Sequence, residues 1–512
     1  MGERDLETTR LEPAGYKALI VRFNLNVISN WHQSHVAAGN THRIETAAGI
    51  TEEVYPAKYW PGDTLGDHLE FAVKYDGTNL AILASIFAAA SQDEFQAYIE
   101  SKPRGKYTRR LWFLYEFLTG SLLPLDNLKQ GGYIDLLETE KYFTASSPNR
   151  VKRQKINNNL LGTPSFCPIV RRTGTLQLFD QADLTERCRK IVAGYSPKLL
   201  KRAMNYLYIK ETKSSFEIEH IKPNATRTER FVSLLQLAEK EDFCVKSKLI
   251  DLQNRIVDPR FKDVDYRTSQ NYVGEAVSWQ NEIVHFVSPK PDDLSDLMEG
   301  LVASHILMGK SSLSTVIHAA VVAYGFVFLH PFEDGNGRIH RFLIHNILAS
   351  RGFTPEGIMF PVSAAMLKDL SAYDASLEAF SRSLIPLVEY SLDEEGQMTV
   401  LNDTARWYKY TDMTLQAEAL FRFIEQTIDA ELVKELAFLV NYDKAKQAIQ
   451  EIVDMPDRQI DLFIRFSLQN NNRISVRKRA SHFEFLDDEE IARMGQAIQA
   501  IYKKSGTPNN SD

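Results

Sequence analysis

Along most of the 512 residues, apolar side chains recur three or four positions apart, the spacing of one helix face. Clear runs are Asp180–Val192, Pro197–Ile209, Thr226–Glu241, Leu313–Leu329 and Arg338–Arg351. The boundary chemistry agrees with them. Ser196-Pro197 pairs an N-cap with proline at the first helical position, Thr226 and Glu229 have capping-box spacing, and Gly352 stands where a helix should stop. One segment departs from this pattern. Ala276–Val287 carries β-branched and aromatic residues around the turn-like Gln280-Asn281-Glu282, which predicts a short hairpin. The expected fold is therefore all-α with one hairpin, in three blocks: a helical N-terminal domain at 1–190, a middle domain at 191–390 and a helical C-terminal domain at 391–512.

Composition narrows the function classes. Hydrophobic residues at 44% and charged residues at 25% describe a globular protein and exclude wholesale disorder or a fibrous repeat. A net charge of −7 argues against general coating of nucleic acid. The basic run Arg477–Arg479 still leaves a local docking patch for DNA or protein open, although Asp487-Asp488-Glu489-Glu490 stands close enough to neutralise it. Cys167, Cys188 and Cys244 are odd in number and widely spaced, as expected of reduced core thiols. The longest apolar run, Ala319–Leu329, is about half of the ~20 residues that span a bilayer. With no signal-peptide layout at the start, the expectation is a soluble cytoplasmic protein without a membrane partner.

The chemistry concentrates in His330-Pro331-Phe332-Glu333-Asp334-Gly335-Asn336-Gly337-Arg338-Ile339-His340-Arg341. Pro331 disfavours helical geometry at His330, so the imidazole sits on a turn leaving an apolar element. Gly335 and Gly337 allow close backbone approach just where a new helix begins, and helix N-termini offer unpaired N–H groups to anions. Arg338 and Arg341, three apart, add positive charge on one face. Asp334 brings a carboxylate suited to a Mg²⁺ ion that bridges phosphates. A base, a metal carboxylate, an amide cradle and two arginines together suit nucleotide-polyphosphate chemistry. A zinc cluster of His330, His340 and His345 is disfavoured, because an offset of five points His340 and His345 apart and no zincin glutamate joins them.

This stretch resembles the signature of the Fic (filamentation induced by cAMP) family, H-P-F-x-[D/E]-G-N-G-R-x-x-R, and matches it at all nine specified positions. The resemblance implies a Fic-type helical bundle core with a hairpin flap. It also implies transfer of AMP from ATP to a Ser, Thr or Tyr hydroxyl of a target protein, which can be the enzyme itself. His330 would take the hydroxyl proton and Asp334 would hold Mg²⁺. Asn336 and the amides near Gly335 and Gly337 would hold phosphate oxygens, while Arg338 and Arg341 would bind the β- and γ-phosphates. Phe332 would wedge the loop into the core.

Two further segments gain meaning from the same resemblance. Ser215 and Glu219, four apart, look like the family's inhibitory pattern [S/T]-x-x-x-E-[G/N], with His220 departing at the last position. Glu219 would then pair with Arg341 and exclude the γ-phosphate. The hairpin matches the family's flap, with Ile283, Val284, His285 and Phe286 lining an extended target segment by β-augmentation. The alternatives are a nucleotide-sensing regulatory module with a docking C-terminal domain, or an enzyme that removes AMP. A homodimer is compatible with each.

Overall fold

The computed structural model of the protein describes residues 11–278, 281–355 and 358–504. Helices dominate, as the periodicity predicts. The chain forms two compact units, each assembled from separated stretches. One takes the residues up to Ala182 with Ser233–Arg351 and Leu370–Phe421; the other takes Asp183–Val232, Gly352–Asp369 and the residues from Arg422 onward.

The first unit holds more strand than one hairpin. β1 (Leu11–Ala14), β2 (His32–Ala37), β3 (Arg43–Ala47) and β4 (Ile50–Tyr55) form a sheet in the order β1-β2-β4-β3. β5 (Ile134–Asp135), β6 (Asn149–Val151) and β7 (Ile156–Asn158) form another. These strands escape sequence reading because each is short and several lack apolar alternation; β3 is exposed at every position. The first sheet is pinned by a buried carboxylate. Asp76 accepts from the Tyr16 amide at 3.1 Å, and His32 lies between Asp76 and Glu53 at 3.1 and 3.0 Å. Burial alone would lower the His32 pKa, but Asp76 and then Glu53 outweigh it and raise it.

The part that positions the catalytic motif is built from α1 (Lys246–Ile256), α2 (Pro291–Gly309), α3 (Thr315–Leu329), α4 (Asn336–Ser350) and α5 (Leu370–Leu384). α3 is apolar on all faces and buried from Val316 to Leu329, so it forms the centre of the bundle. Asn346 ties α4 to the chain ahead of α1. Its Nδ2 donates to Ala238 O at 2.6 Å and Glu241 O at 2.7 Å, and its Oδ1 accepts from Phe243 N at 3.2 Å. The N-terminal segment docks through Phe166, which lies over two glycines. A Cβ on Gly300 would come within 2.7 Å of the Phe166 backbone N, and one on Gly325 within 2.7 Å of Phe166 Cζ. Ser304 Oγ completes the seam by donating to Phe166 O at 2.8 Å.

Several predicted boundaries move for local reasons. The run 180–192 splits into helices Gly174–Gln181 and Leu184–Ala193, because Asp183 takes φ +38 and caps the second through the Glu186 amide. Ser196 caps as expected, accepting from Leu199 N, but that helix continues to Glu217. Asn224 rather than Thr226 caps the next one, accepting from Arg227 N at 2.9 Å, so Ala225 already lies in the helix. Gly352 does take the left-handed φ, at +66°, that ends α4. The hairpin is β8 (Tyr272–Ser278) with β9 (Asn281–Val287), so Asn281 and Glu282 are strand rather than turn; Gln280 lies outside the described residues.

A separate core, including Ile460, Phe463, Phe483, Met494 and Ile498, holds the second unit. There Arg479 pairs with Asp488, and Lys478 lies 4.2 Å over the Phe466 ring, so much of the basic run is already engaged. Cys167, Cys188 and Cys244 are buried free thiols. Among the described residues no helix is long and apolar enough to cross a membrane.

The Phe166 seam gives a direct test. In Gly300→Ala the new methyl meets backbone atoms that cannot swing away, so about 1–3 kcal/mol of overpacking is expected. Thermal unfolding should show a lowered midpoint. An unchanged midpoint would mean that the Phe166 contact is not what holds this segment to the bundle.

Candidate active site

α3 ends because His330 leaves the helix with φ +48° and ψ +58°, a left-handed conformation that costs a non-glycine residue roughly 1–2 kcal/mol. Pro331, which follows, already excludes the helical region at His330. A buried arginine that the sequence does not advertise holds this geometry. Arg267 donates from its amide to Pro331 O at 2.8 Å and from Nε to His330 O at 2.8 Å. Its other nitrogens reach Ser269 O at 2.7 Å and Pro289 O at 2.6 Å. The same guanidinium therefore grips the His330 loop and both ends of the hairpin. Desolvation pulls its pKa down to about 10. No local pattern marks Arg267, since its partner carbonyls are up to 64 positions away in sequence.

The His330 ring is held in one orientation and one tautomer. Nδ1 stands 3.1 Å from Val327 O, which fixes the proton on Nδ1 and leaves Nε2 free to accept. Burial lowers its pKa to about 4, with the charge of Arg267 acting in the same direction, so the ring is neutral at physiological pH. Phe286 of β9 lies 6.2 Å away, ring to ring.

The loop after His330 is braced from inside. Asn336 is 2% exposed and spends its amide on Phe332, accepting from its N at 3.1 Å and donating to its O at 2.7 Å. Its side chain thus shapes the loop instead of facing a ligand. Phe332 is fully buried, wedged beside Phe326 and Tyr266. Gly335 takes φ +92°, and a Cβ there would also meet Val257 Cγ1 at 2.9 Å, so both backbone and space require glycine. The first backbone bond of α4 runs from Ile339 N to Gly335 O, which leaves the amides of Asn336, Gly337 and Arg338 ahead of the helical ladder.

Both arginines are buried, at 0% for Arg338 and 2% for Arg341. Arg338 Nη2 donates to Asp334 Oδ1 at 2.6 Å, and Arg341 Nη1 donates to the Tyr373 hydroxyl at 3.3 Å. Asp334 itself is 43% exposed. Negative charge gathers beside it: Asp263, held by Gln253 Nε2 at 2.9 Å, has its pKa raised by burial and then by Glu333 and Asp334. A divalent cation would relieve that crowding. A half-exposed carboxylate suits Mg²⁺, which binds through one or two carboxylates plus substrate phosphates, and among the described residues no group of three or more His, Cys, Asp or Glu is arranged to hold a metal alone. His340 packs edge-on against Tyr324 at 4.7 Å, as a core residue.

The flap residues divide between two environments. Register passes from Val273↔Phe286 to Gly274↔Val284, so His285 is the extra residue of a bulge. Ile283 and His285 are exposed and Val284 is half-buried, but Phe286 is 9% exposed and packs near Phe328 and Phe380. Phe286 is therefore a wall beside His330 and not part of an outward docking face, because alternation along the strand turns it toward the bundle. Gly274 permits the close pairing, since a Cβ there would lie 2.8 Å from Ile283 O.

Ser215 is fully buried in the helix Pro197–Glu217. Glu219 lies two residues beyond that helix, so the two do not sit on one continuous helix. The reason is His220, at φ +56°, with the Ile221 amide bonded back to Phe216 O at 3.0 Å. This is the left-handed helix end that glycine or asparagine usually provides, and histidine adopts it here.

Residues 244–348 match the model of the Fic/DOC family. The chain is also similar to the protein adenylyltransferase Fic of Aedes aegypti, 33% identical over 122 residues, or 23% of this chain and 22% of that one. The Drosophila virilis protein of the same name is 35% identical over 124 residues, 23% of each chain. The matched stretch is thus less than a quarter of these relatives. A solved Fic family protein from Desulfovibrio desulfuricans aligns over 65% of this chain and 87% of its own at 17% identity, with a TM-score of 0.33, too low to establish equivalent positions. The segment that matches the Fic/DOC family model is the one that carries α1, the flap, α2, α3, the His330 loop and most of α4.

Proposed function

We propose that the protein transfers AMP from ATP to a hydroxyl side chain of a target protein. One observation carries this reading: a neutral imidazole with its Nε2 free stands on the same twelve-residue loop as a string of unladdered helix amides and two buried arginines. In the transfer, the target oxygen bonds to the α-phosphorus of ATP and its proton passes to His330 Nε2. The bond from that phosphorus to the bridging oxygen breaks, and pyrophosphate leaves. The amides of Asn336 and Gly337 and the guanidinium groups of Arg338 and Arg341 stabilise the phosphate charge. Asn336 contributes by fixing the loop. Bound at Asp334, Mg²⁺ would supply charge neutralisation on the phosphates.

Selection of the target falls to the flap. β8 and β9 pair only with each other among the described residues, leaving a strand edge for an extended segment, with Ile283 and His285 exposed beside it. Phe286 would guide the incoming hydroxyl side chain to His330. Glu219 is the proposed brake, competing for the γ-phosphate site at Arg341. Its support is the resemblance of the 215–220 pattern to the family's inhibitory motif.

Incubation with α-labelled ATP and Mg²⁺ tests the assignment. Label should appear on protein, rise in Glu219→Gly and fall by about 10²–10⁴ in His330→Ala. Equal labelling in all three would remove both roles. Asp334→Asn should raise the magnesium concentration needed for half-maximal labelling, whereas an unchanged requirement would place the ion elsewhere.

The dry environment of His330 sets a pH dependence. The base works only when neutral, so kcat/KM for ATP in Glu219→Gly should stay level down to about pH 5 and fall as pH approaches about 4. An acid limb at the ordinary value near ~6.5 would show a solvated ring.

A further inference from the structure

β3 (Arg43–Ala47) forms one edge of the four-stranded sheet, and every residue from Ala38 to Gly49 is exposed. The opposite edge, β1, is four residues long and carries Pro13, which has no N–H to give to a ladder. β3 has no proline, and its register with β4 runs from Arg43↔Val54 to Ala47↔Ile50 without a bulge. Ile44 lies within it, 56% exposed. A regular, uncovered edge of this kind is a template for a further strand.

The turn that closes the β3–β4 hairpin decides which backbone groups face outward. Ala48 and Gly49 take φ +49° and +80°, the positive pair of a two-residue I′ turn. The closing pair Ala47↔Ile50 is then hydrogen-bonded, and bonded and non-bonded pairs alternate away from it. Thr51 N donates to Trp31 O at 2.8 Å, toward the β2 side, as that alternation requires. The backbone groups of Arg43, Glu45 and Ala47 are therefore spent on β4, and those of Ile44 and Thr46 point away from the sheet.

The side chains beside those groups select the partner. Arg43 and Glu45 share one face of β3, 3.4 Å apart along the strand, and both side chains are more than half exposed. An exposed pair of this kind is worth little, so each charge can take another partner. An antiparallel second β3 could bond to Ile44 and Thr46 in two registers. Centred on Glu45, it sets two glutamates face to face. Centred on Ile44, it sets Arg43 against Glu45 on both sides of the axis and brings the two Ile44 side chains together. Opposite charges directly across a sheet attract and like charges repel, so the second register is favoured. We propose that β3 pairs antiparallel with β3 of a second copy of this chain, in the register Ile44↔Ile44, joining the two four-stranded sheets edge to edge. Few residues take part, so the association is micromolar rather than nanomolar. It does not depend on AMP transfer, because its test reads mass.

Sedimentation velocity on the full chain, from about 1 to about 100 µM, decides the matter. The wild type should move from monomer toward dimer across that range. Ile44→Pro removes the outward N–H at the centre of the pairing and should leave a monomer. Arg43→Glu and Glu45→Arg each turn two attractive pairs into repulsive ones and should weaken the dimer by about tenfold or more. The double variant Arg43→Glu, Glu45→Arg restores both pairs and should dimerise as the wild type does. An equimolar mixture of the two single variants should form the heterodimer in preference to either homodimer. These positions are all exposed, so thermal midpoints should stay at the wild-type value, and the charge reversals keep the test intact even if the proline variant fails to fold. A wild type that remains monomeric at about 100 µM would overturn the proposal. So would a dimer indifferent to both single reversals, or one that neither the double variant nor the mixture restores.

Discussion

A buried guanidinium satisfied by backbone carbonyls is the contact on which the site depends. Arg267 has lost enough hydration that its pKa falls to about 10, yet it remains charged because four backbone oxygens accept from the residue's amide and guanidinium. Two of those oxygens, on His330 and Pro331, belong to the turn that holds the imidazole outside the helix; Ser269 and Pro289 flank the flap. Free-energy costs are therefore coupled here. The left-handed backbone at His330 is tolerated because its carbonyl is held by a charge-assisted bond, and the buried charge is tolerated because these carbonyls converge on it.

The electrostatic layout follows from the same desolvation. Burial and then the charge of Arg267 keep His330 neutral, while Arg338 and Arg341 lie in a nearly water-free environment, where charge interactions are stronger than in water. The acidic side of the loop, at Asp263, Glu333 and Asp334, has the opposite problem. Burial first, and then the negative charge of Glu333 and Asp334, raises the Asp263 pKa; a nearby cation would offset the second of these. The two sides meet at one point, where Arg338 Nη2 donates to Asp334 Oδ1 at 2.6 Å.

Helical class, the end of α3, the start of α4 and the residues of the His330–Arg341 loop could all be read from local pattern. Each depends on neighbours within about four positions, the range over which helix periodicity, proline and glycine act. The sheets of the N-terminal segment could not, because strands as short as Ile134–Asp135 owe their conformation to partners some twenty residues away. The role of Asn336 was also hidden. Its place in the motif suggests a phosphate contact, but only the folded loop reveals that Phe332 takes both ends of its amide.

The sequence by itself determined which groups meet on the loop, since twelve consecutive residues carry the imidazole, the carboxylate, the glycines and both arginines. Tertiary structure decided their states: the lowered pKa of His330, the burial of Arg338 and Arg341, the inward turn of Phe286, and the clamp by Arg267. The physical reason is range. Covalent connection fixes which residues are neighbours over a few bonds, whereas desolvation and charge depend on everything that folds within several ångströms, including elements more than sixty positions away in the chain.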